Sequence, residues 1–83
     1  MDEFKKIAHH AVLESTIGAK TVAQKIGKPY STLLRELNPH DDGAKLGAET
    51  LMHIMAVIND IAPLKSMAKT FGYELVPIKR NTP

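Results

Sequence analysis

The chain has 83 residues, of which 43% are hydrophobic, 24% charged and 5% aromatic, the composition of one soluble globular domain. It contains no cysteine, which excludes disulfides, thiolate metal sites and thiol catalysis and favours a reducing, cytoplasmic compartment. No apolar run approaches the ~18 residues of a membrane span, and the first residues lack the order of a signal peptide. The length also excludes a large enzyme with a deep cleft.

The distribution of charge is more informative than the net charge of +2. Residues 20–37 and 64–83 each carry +3, whereas residues 1–19 carry −1 and residues 38–63 carry −3. The basic residues are therefore concentrated in two segments, which suggests a polyanionic partner for one part of the surface.

Apolar residues at helical spacing, interrupted by Gly and Pro, predict an all-α fold of five helices. The first helix is expected from about Asp2 to Ile17, with Gly18 as its stop. Its apolar face comprises Phe4, Ile7, Ala8, Ala11 and Val12.

A short second helix, Val22–Ile26, is expected next, with Thr21 at its start and Gly27 as the left-handed residue at its end. Pro29 cannot continue a helix, so the third begins at Tyr30 or Ser31. It is expected to run through Leu37 and to end at Asn38-Pro39.

Residues 40–47 contain turn-forming residues and one inward Leu46, so they are predicted to form a loop that folds back on the core. A fourth helix is expected at Ala48–Ile58, with Asn59 as its C-cap. The fifth should follow Asp60 as N-cap, carry Pro63 in its first turn and end at Gly72. The predicted inward residues of these helices are Leu51, Ile54, Met55, Ile58, Leu64, Met67, Ala68 and Phe71, with Met52 also assigned to packing.

The last residues differ in character from the helices. Residues 73–78 alternate in polarity and are rich in strand formers, so we expect a short extended tail. It would form either a strand that pairs with a second copy of the chain or an apolar strip laid over the bundle. The predicted domain covers residues 1–76, and residues 77–83 form a flexible tail.

Two short helices joined by a turn that contains Gly are typical of a helix-turn-helix. Ala23 allows close packing of the two helices, and Gly27 takes the left-handed turn position. The expected inward residues are Val22, Ile26, Leu33 and Leu37.

The remaining positions of the motif have side chains suited to double-stranded DNA. Arg bonds guanine bidentately, Asn prefers adenine, and hydroxyl groups bond phosphates or base edges. The candidate base-reading residues are Lys28, Tyr30, Ser31, Thr32, Arg35 and Asn38, and the candidate phosphate-binding residues are Lys20, Thr21, Gln24 and Lys25. Alternatively, Arg35 forms an ion pair with a neighbour of Glu36 or with Asp41 on a solvated face.

The run Gly27-Lys28-Pro29-Tyr30-Ser31-Thr32-Leu33, followed by Leu37-Asn38-Pro39, Leu46-Gly47, an apolar helix and Asp60, resembles the phage regulatory protein CII family. This resemblance covers most of the chain. It implies a DNA-binding transcriptional regulator of prophage origin that helps to establish lysogeny. It also implies a fold similar to the lambda repressor DNA-binding domain, with the helix-turn-helix at Thr21–Leu37.

The chain departs from the common helix-turn-helix pattern in one respect. The second inward residue of the reading helix usually lies three positions after the first, a position that Glu36 occupies if Leu33 is the first. Either the helix is rotated slightly so that Leu33 and Leu37 both face inward, or Leu34 is the inward residue and the turn is one residue longer.

Other candidate sites have structural explanations. His9, His10, His40 and His53 are expected at the surface, and Asp41-Asp42-Gly43 lacks the ligand pattern of a calcium loop and is expected to be a turn. Ser15 and Ser66 lack a catalytic His and acid. We expect no enzyme activity, no metal and no cofactor.

A single reading helix covers few base pairs, so a homodimer or higher homo-oligomer is expected. The alternative hypothesis is a helical protein-interaction module, without DNA binding, that docks a partner such as RNA polymerase.

Overall fold

The computed structural model describes residues 3–78, which form five α-helices and contain no strand. The helices are α1 (Glu3–Glu14), α2 (Gly18–Ile26), α3 (Tyr30–Leu37), α4 (Ala48–Ile58) and α5 (Ala62–Thr70). The prediction of an all-α fold with five helices is therefore confirmed. None of these helices is long and apolar enough to cross a membrane.

The core lies where α1, α2, α3 and α4 meet. Its fully buried large apolar side chains include Val12, Val22, Leu33, Leu37 and Ile54. Helix α1 is central to the bundle because it packs against each of the other four helices. The predicted apolar face of α1 is confirmed: Ala8, Ala11 and Val12 are buried, and Phe4 packs against the core from the same face.

The boundary between the first two helices differs from the prediction. Helix α1 ends at Glu14 instead of Ile17, and α2 begins at Gly18, so Thr21 lies inside α2 and is not its cap. The cause is Ser15, whose hydroxyl donates to the Val12 carbonyl oxygen at 2.7 Å and accepts from the Gly18 backbone N–H at 3.2 Å. Such local side-chain bonds compete with helix propagation. The expected start at Asp2 lies outside the described residues.

The later helix boundaries agree closely with the sequence. Helices α3 and α4 have the predicted bounds, and Asn59 adopts the left-handed conformation of a C-cap, with φ 54°. Helix α5 is the exception: its N-cap is Ile61 instead of Asp60, and it ends at Thr70, two residues before Gly72. Asp60 lies one residue further out, where its Oδ1 accepts the backbone N–H of Ala62 at 2.9 Å. Leu46, in the loop after α3, packs against the core as predicted.

Three predicted core positions are wrong. Leu64 on α5, Phe71 just after it and Met52 on α4 are all exposed, Phe71 by 68%. Helix α5 packs mainly against α1, so it buries only a narrow stripe that contains Pro63 and Met67. The face that Leu64 lies on therefore has no helix opposite it in the described part of the chain.

The tail has no regular secondary structure where it is described. Every residue from 73 to 78 is exposed. Leu75 lines an open depression of about 520 Å³ together with Ile7 of α1 and Ala62 of α5. The division into a domain at residues 1–76 and a flexible tail at 77–83 stays a prediction, and residues 79–83 lie outside the described range.

Gly27 ends α2 in the left-handed region, with φ 73°. Its backbone N–H bonds the Gln24 carbonyl at 3.2 Å, and the next N–H, of Lys28, bonds the Ala23 carbonyl at 3.0 Å. A Cβ at this position would meet no neighbouring atom, so a substitution costs backbone strain alone. We expect Gly27→Ala to lower the free energy of unfolding, measured by urea denaturation, by about 1 kcal/mol.

Gly47→Ala is the matched control for Gly27→Ala. Gly47 has φ −73° and equally open surroundings for a Cβ. An alanine is unstrained there, so the stability should stay within about 0.5 kcal/mol or rise slightly. Equal destabilisation by the two substitutions would contradict the role assigned to the left-handed turn.

Candidate nucleic-acid interface

Helices α2 and α3 pack against each other and are joined by the three-residue turn Gly27–Pro29. Gly27 reverses the chain at the end of α2. Pro29, with φ −57° and ψ 139°, precedes α3, and its carbonyl accepts the Leu33 N–H at 3.0 Å. This arrangement is consistent with the predicted helix-turn-helix.

The inward face of α3 is defined by Leu33 and Leu37, which lie one helical turn apart and are both 0% exposed. Leu34 is only half-buried. Of the two alternatives raised by the sequence, the structure therefore has Leu33 and Leu37 as the inward pair. The turn is not one residue longer, because α3 begins at Tyr30.

The opposite face of α3 is exposed and polar. Of the candidate base-reading residues, Tyr30, Ser31, Arg35 and Asn38 are exposed. Thr32 is half-buried. The Asn38 side chain also shapes the end of the helix, because its Oδ1 accepts the backbone N–H of His40 at 2.9 Å.

Lys28, another candidate, is turned toward the protein. Its Nζ donates to Glu36 Oε1 at 2.8 Å, to Glu36 Oε2 at 3.1 Å and to Thr50 Oγ1 at 3.3 Å. The side chain of Lys28 is 25% exposed and that of Glu36 15%. These contacts link the turn to α3 and α4 and thereby orient α3 on the bundle.

Arg35 forms the ion pair that the sequence raised as an alternative. Its Nε donates to Asp41 Oδ2 at 3.1 Å, while its side chain stays 65% exposed. The Arg35 hydrogen bond, assisted by backbone N–H groups of Gly43 and Ala44, holds the pKa of Asp41 below its ordinary value. Arg35 is thus both tethered at Nε and accessible to solvent.

The candidate phosphate-binding residues lie on α2 beside the start of α3. Lys20, Gln24 and Lys25 are exposed, and Thr21 is half-buried. A shallow cleft of about 280 Å³ separates this part of α2 from α3 and is lined by Lys20, Thr21, Ala23, Gln24, Lys28 and Tyr30. Lys20 Nζ lies 5.9 Å from the centroid of the Tyr30 ring, at the outer limit of a cation–π contact. The cleft therefore brings together part of each candidate set, namely Lys20, Thr21 and Gln24 with Lys28 and Tyr30.

Sequence reasoning missed Lys5, which is only 9% exposed. Its Nζ donates to the carbonyl oxygens of Asp41 at 3.2 Å and Ala44 at 2.9 Å, in the loop after α3. The available signal was its spacing: Lys5 lies three residues before Ala8 and seven before Val12, on the apolar face of α1. A lysine on such a face indicates a buried acceptor nearby.

The remaining candidate sites are one acidic turn and four histidines. Asp41-Asp42-Gly43 is a turn, as predicted, closed by hydrogen bonds from Gly43 and Ala44 to Asp41 Oδ1. His10, His40 and His53 are exposed, and His9 is half-buried. Within residues 3–78, no group of three His, Asp or Glu side chains is placed to hold a metal ion.

Fold and surface together define a small all-helical protein that presents basic and polar side chains from two neighbouring helices. The family model described as phage regulatory protein CII (CP76) matches residues 2–83. The chain therefore belongs to the phage regulatory protein CII family, and the resemblance noted in the sequence is confirmed. No curated protein and no solved structure matched the chain.

Proposed function

We propose that this phage regulator is a sequence-specific DNA-binding transcriptional regulator that acts in the control of lysogeny. It would place α3 in the major groove of its operator, in the cytoplasm of the host. The observation that carries the proposal is the division of α3 into two faces. Leu33 and Leu37 are fully buried on one side, and Ser31 and Arg35, also one turn apart, are exposed on the other.

The exposed face of α3 supplies the chemistry for direct base readout. Arg35 is suited to guanine and Asn38 to adenine, while hydroxyl groups of the same helix suit either a base edge or a phosphate. The proposed base-contacting residues are Tyr30, Ser31, Thr32, Arg35 and Asn38. We assign Lys28 a supporting role, because its ammonium is engaged by Glu36 and Thr50.

Helix α2 is proposed to bind the DNA backbone. In a helix-turn-helix the first helix crosses the backbone while the second enters the groove. The proposed phosphate-binding residues are Lys20, Thr21 and Gln24, which line the cleft beside Tyr30, and Lys25, which is exposed near the end of α2. Contacts to phosphate fix the orientation of the protein without carrying sequence information.

We propose a homodimer or higher homo-oligomer as the binding form, with RNA polymerase as a candidate protein partner. A single module covers too few base pairs to be distinguished among the competing sites of a genome. Two copies related by a twofold axis would contact half-sites about one helical turn apart.

The first experiment is the selection of bound duplexes from a random-sequence pool at ~150 mM salt, where binding to phosphate alone is weak. The expected result is a repeated motif with two half-sites separated by roughly 10 base pairs. A folded, monodisperse protein that enriches no motif would overturn the proposal.

Two variants separate base reading from phosphate binding. Arg35→Ala is expected to weaken operator binding by about 1–3 kcal/mol and to relax the preference at one base pair. Lys25→Ala is expected to weaken binding to all sequences alike and to reduce the slope of log affinity against log salt by about 1. Titration of operator and scrambled duplexes at several salt concentrations measures both effects. An unchanged operator affinity in Arg35→Ala would refute this choice of reading face.

The alternative function, a protein-interaction module, is favoured by one observation. Phe71, Tyr73, Val76 and Ile78 expose large apolar side chains around the end of α5 and in the tail. Retention on duplex DNA distinguishes the two functions. A DNA-binding protein requires elevated salt for elution, whereas an interaction module with a net charge of +2 is barely retained.

A further inference from the structure

The loop after α3 holds the Asp41 carboxylate in one orientation. Oδ2 accepts from Arg35 Nε at 3.1 Å. Oδ1 accepts from the backbone N–H groups of Gly43 at 3.0 Å and Ala44 at 3.2 Å. Both carboxylate oxygens accept hydrogen bonds, so the Asp41 side chain is held in one orientation, with Oδ2 facing Arg35.

Hydrogen bonds to two helices hold the loop in place. Lys5 of α1 donates to the carbonyl oxygens of Asp41 at 3.2 Å and Ala44 at 2.9 Å. The Asp41 backbone N–H donates to the Asn38 carbonyl at 3.1 Å, which ties the loop to the end of α3. The bundle therefore sets the position of the carboxylate relative to the exposed face of α3.

This arrangement matters for an arginine that reads a base. Bidentate recognition of guanine O6 and N7 requires two parallel N–H donors in a defined plane. An untethered side chain that is 65% exposed, as Arg35 is, would sample many rotamers and would have to be ordered on binding. With Nε bonded to Asp41, the two terminal nitrogens remain as the donor pair for a base.

We propose that Asp41 is a positioning residue that orients the Arg35 guanidinium for bidentate recognition of one guanine in each operator half-site, an inference that rests on the proposed function. The Arg35 hydrogen bond also lowers the pKa of Asp41. An aspartate is already ionised at neutral pH at its ordinary pKa, so the carboxylate is available as the acceptor.

The test combines protein variants with base analogues. Each guanine of the selected operator is replaced in turn by 7-deazaguanine, which lacks the N7 acceptor. Affinity is then measured at ~150 mM salt for the wild type, Arg35→Ala, Asp41→Asn and Asp42→Asn. Asp42 is the matched control, because it lies exposed in the same loop and its substitution changes the charge identically.

Replacement of one particular guanine in each half-site should lower the affinity of the wild type on the order of tenfold. Arg35→Ala should bind the normal and modified duplexes alike. Asp41→Asn should lose part of the difference, because its Arg35 must be ordered on binding, and Asp42→Asn should behave as the wild type. If Asp41→Asn keeps the full wild-type sensitivity, or only binds every duplex more tightly, the positioning role is refuted while the proposed function stands. If the wild type shows no sequence preference, the proposed function fails and this inference fails with it.

A measurement on the wild-type protein tests the same contact without a variant. Hydrogen exchange of the Arg35 Nε–H, followed by NMR, should be slower than that of free arginine, both in the free protein and when operator is bound. Rapid exchange in the complex would show that the guanidinium leaves Asp41 on binding, and it would overturn the inference.

Discussion

Leu33→Ala and Leu37→Ala are each expected to lower the free energy of unfolding by about 2–5 kcal/mol, a large part of the stability of a small domain. Both side chains are 0% exposed and belong to the same cluster as Val12, Val22 and Ile54. Truncation removes apolar contacts and leaves a cavity that the surrounding helices cannot fully close. Urea denaturation followed by circular dichroism measures the effect.

Leu13→Ala is the matched control for these substitutions. Leu13 lies on α1 but is 56% exposed, so the same chemical change should alter the unfolding free energy by less than about 0.5 kcal/mol. A loss of stability at Leu33 as small as the one expected at Leu13 would show that α3 is not packed through its Leu33–Leu37 face. The assignment of Ser31 and Arg35 to the opposite, accessible face would then fail too.

Lys5→Ala is expected to lower the free energy of unfolding by about 2–4 kcal/mol, which is a large effect for a lysine. Two hydrogen bonds from a charged donor and the packing of the side-chain stem are lost together. Lys5 is 9% exposed and bonds the carbonyl oxygens of Asp41 and Ala44. The measurement is again urea denaturation. The Gly43 and Ala44 amide protons should exchange faster as well, because the loop loses its brace.

Two further variants separate the contributions at Lys5. Lys6→Ala removes the same groups from the next residue, which is exposed, and should leave stability within about 0.5 kcal/mol. Lys5→Met keeps an apolar stem but no ammonium, so it should recover the packing part of the loss and leave the loop unbraced. Equal stability of Lys5→Ala and Lys6→Ala would refute the bracing contact.

Parts of this molecule follow from local sequence. The bounds of α3 and α4 were predictable because Pro29, Asn38-Pro39 and Asn59 prevent or end helices through backbone conformations that they adopt locally. Ala23 and the left-handed Gly27 were predictable for the same reason. The end of α1 was mispredicted because the Ser15 hydroxyl forms hydrogen bonds with backbone groups that would otherwise continue the helix.

The spacing of apolar residues also identified an apolar stripe on each helix, but it did not show how much of that stripe is buried. Leu64 fits the helical spacing of a core residue as well as Met67 does. Only Met67 faces the cluster, because α5 packs mainly against α1. The width of a buried face depends on how many helices lie opposite it, which is a property of the assembled bundle.

The amino-acid sequence by itself determined the helical fold, the turn between α2 and α3, the family and the residue types available for the proposed contacts with DNA. Tertiary structure alone decided the surroundings of those residues. It turned Lys28 toward Glu36 and Thr50, and it joined Lys5 to carbonyl groups 36 and 39 residues away. Helix ends depend on interactions within a few residues, whereas charged side chains find their partners only after packing brings distant segments together.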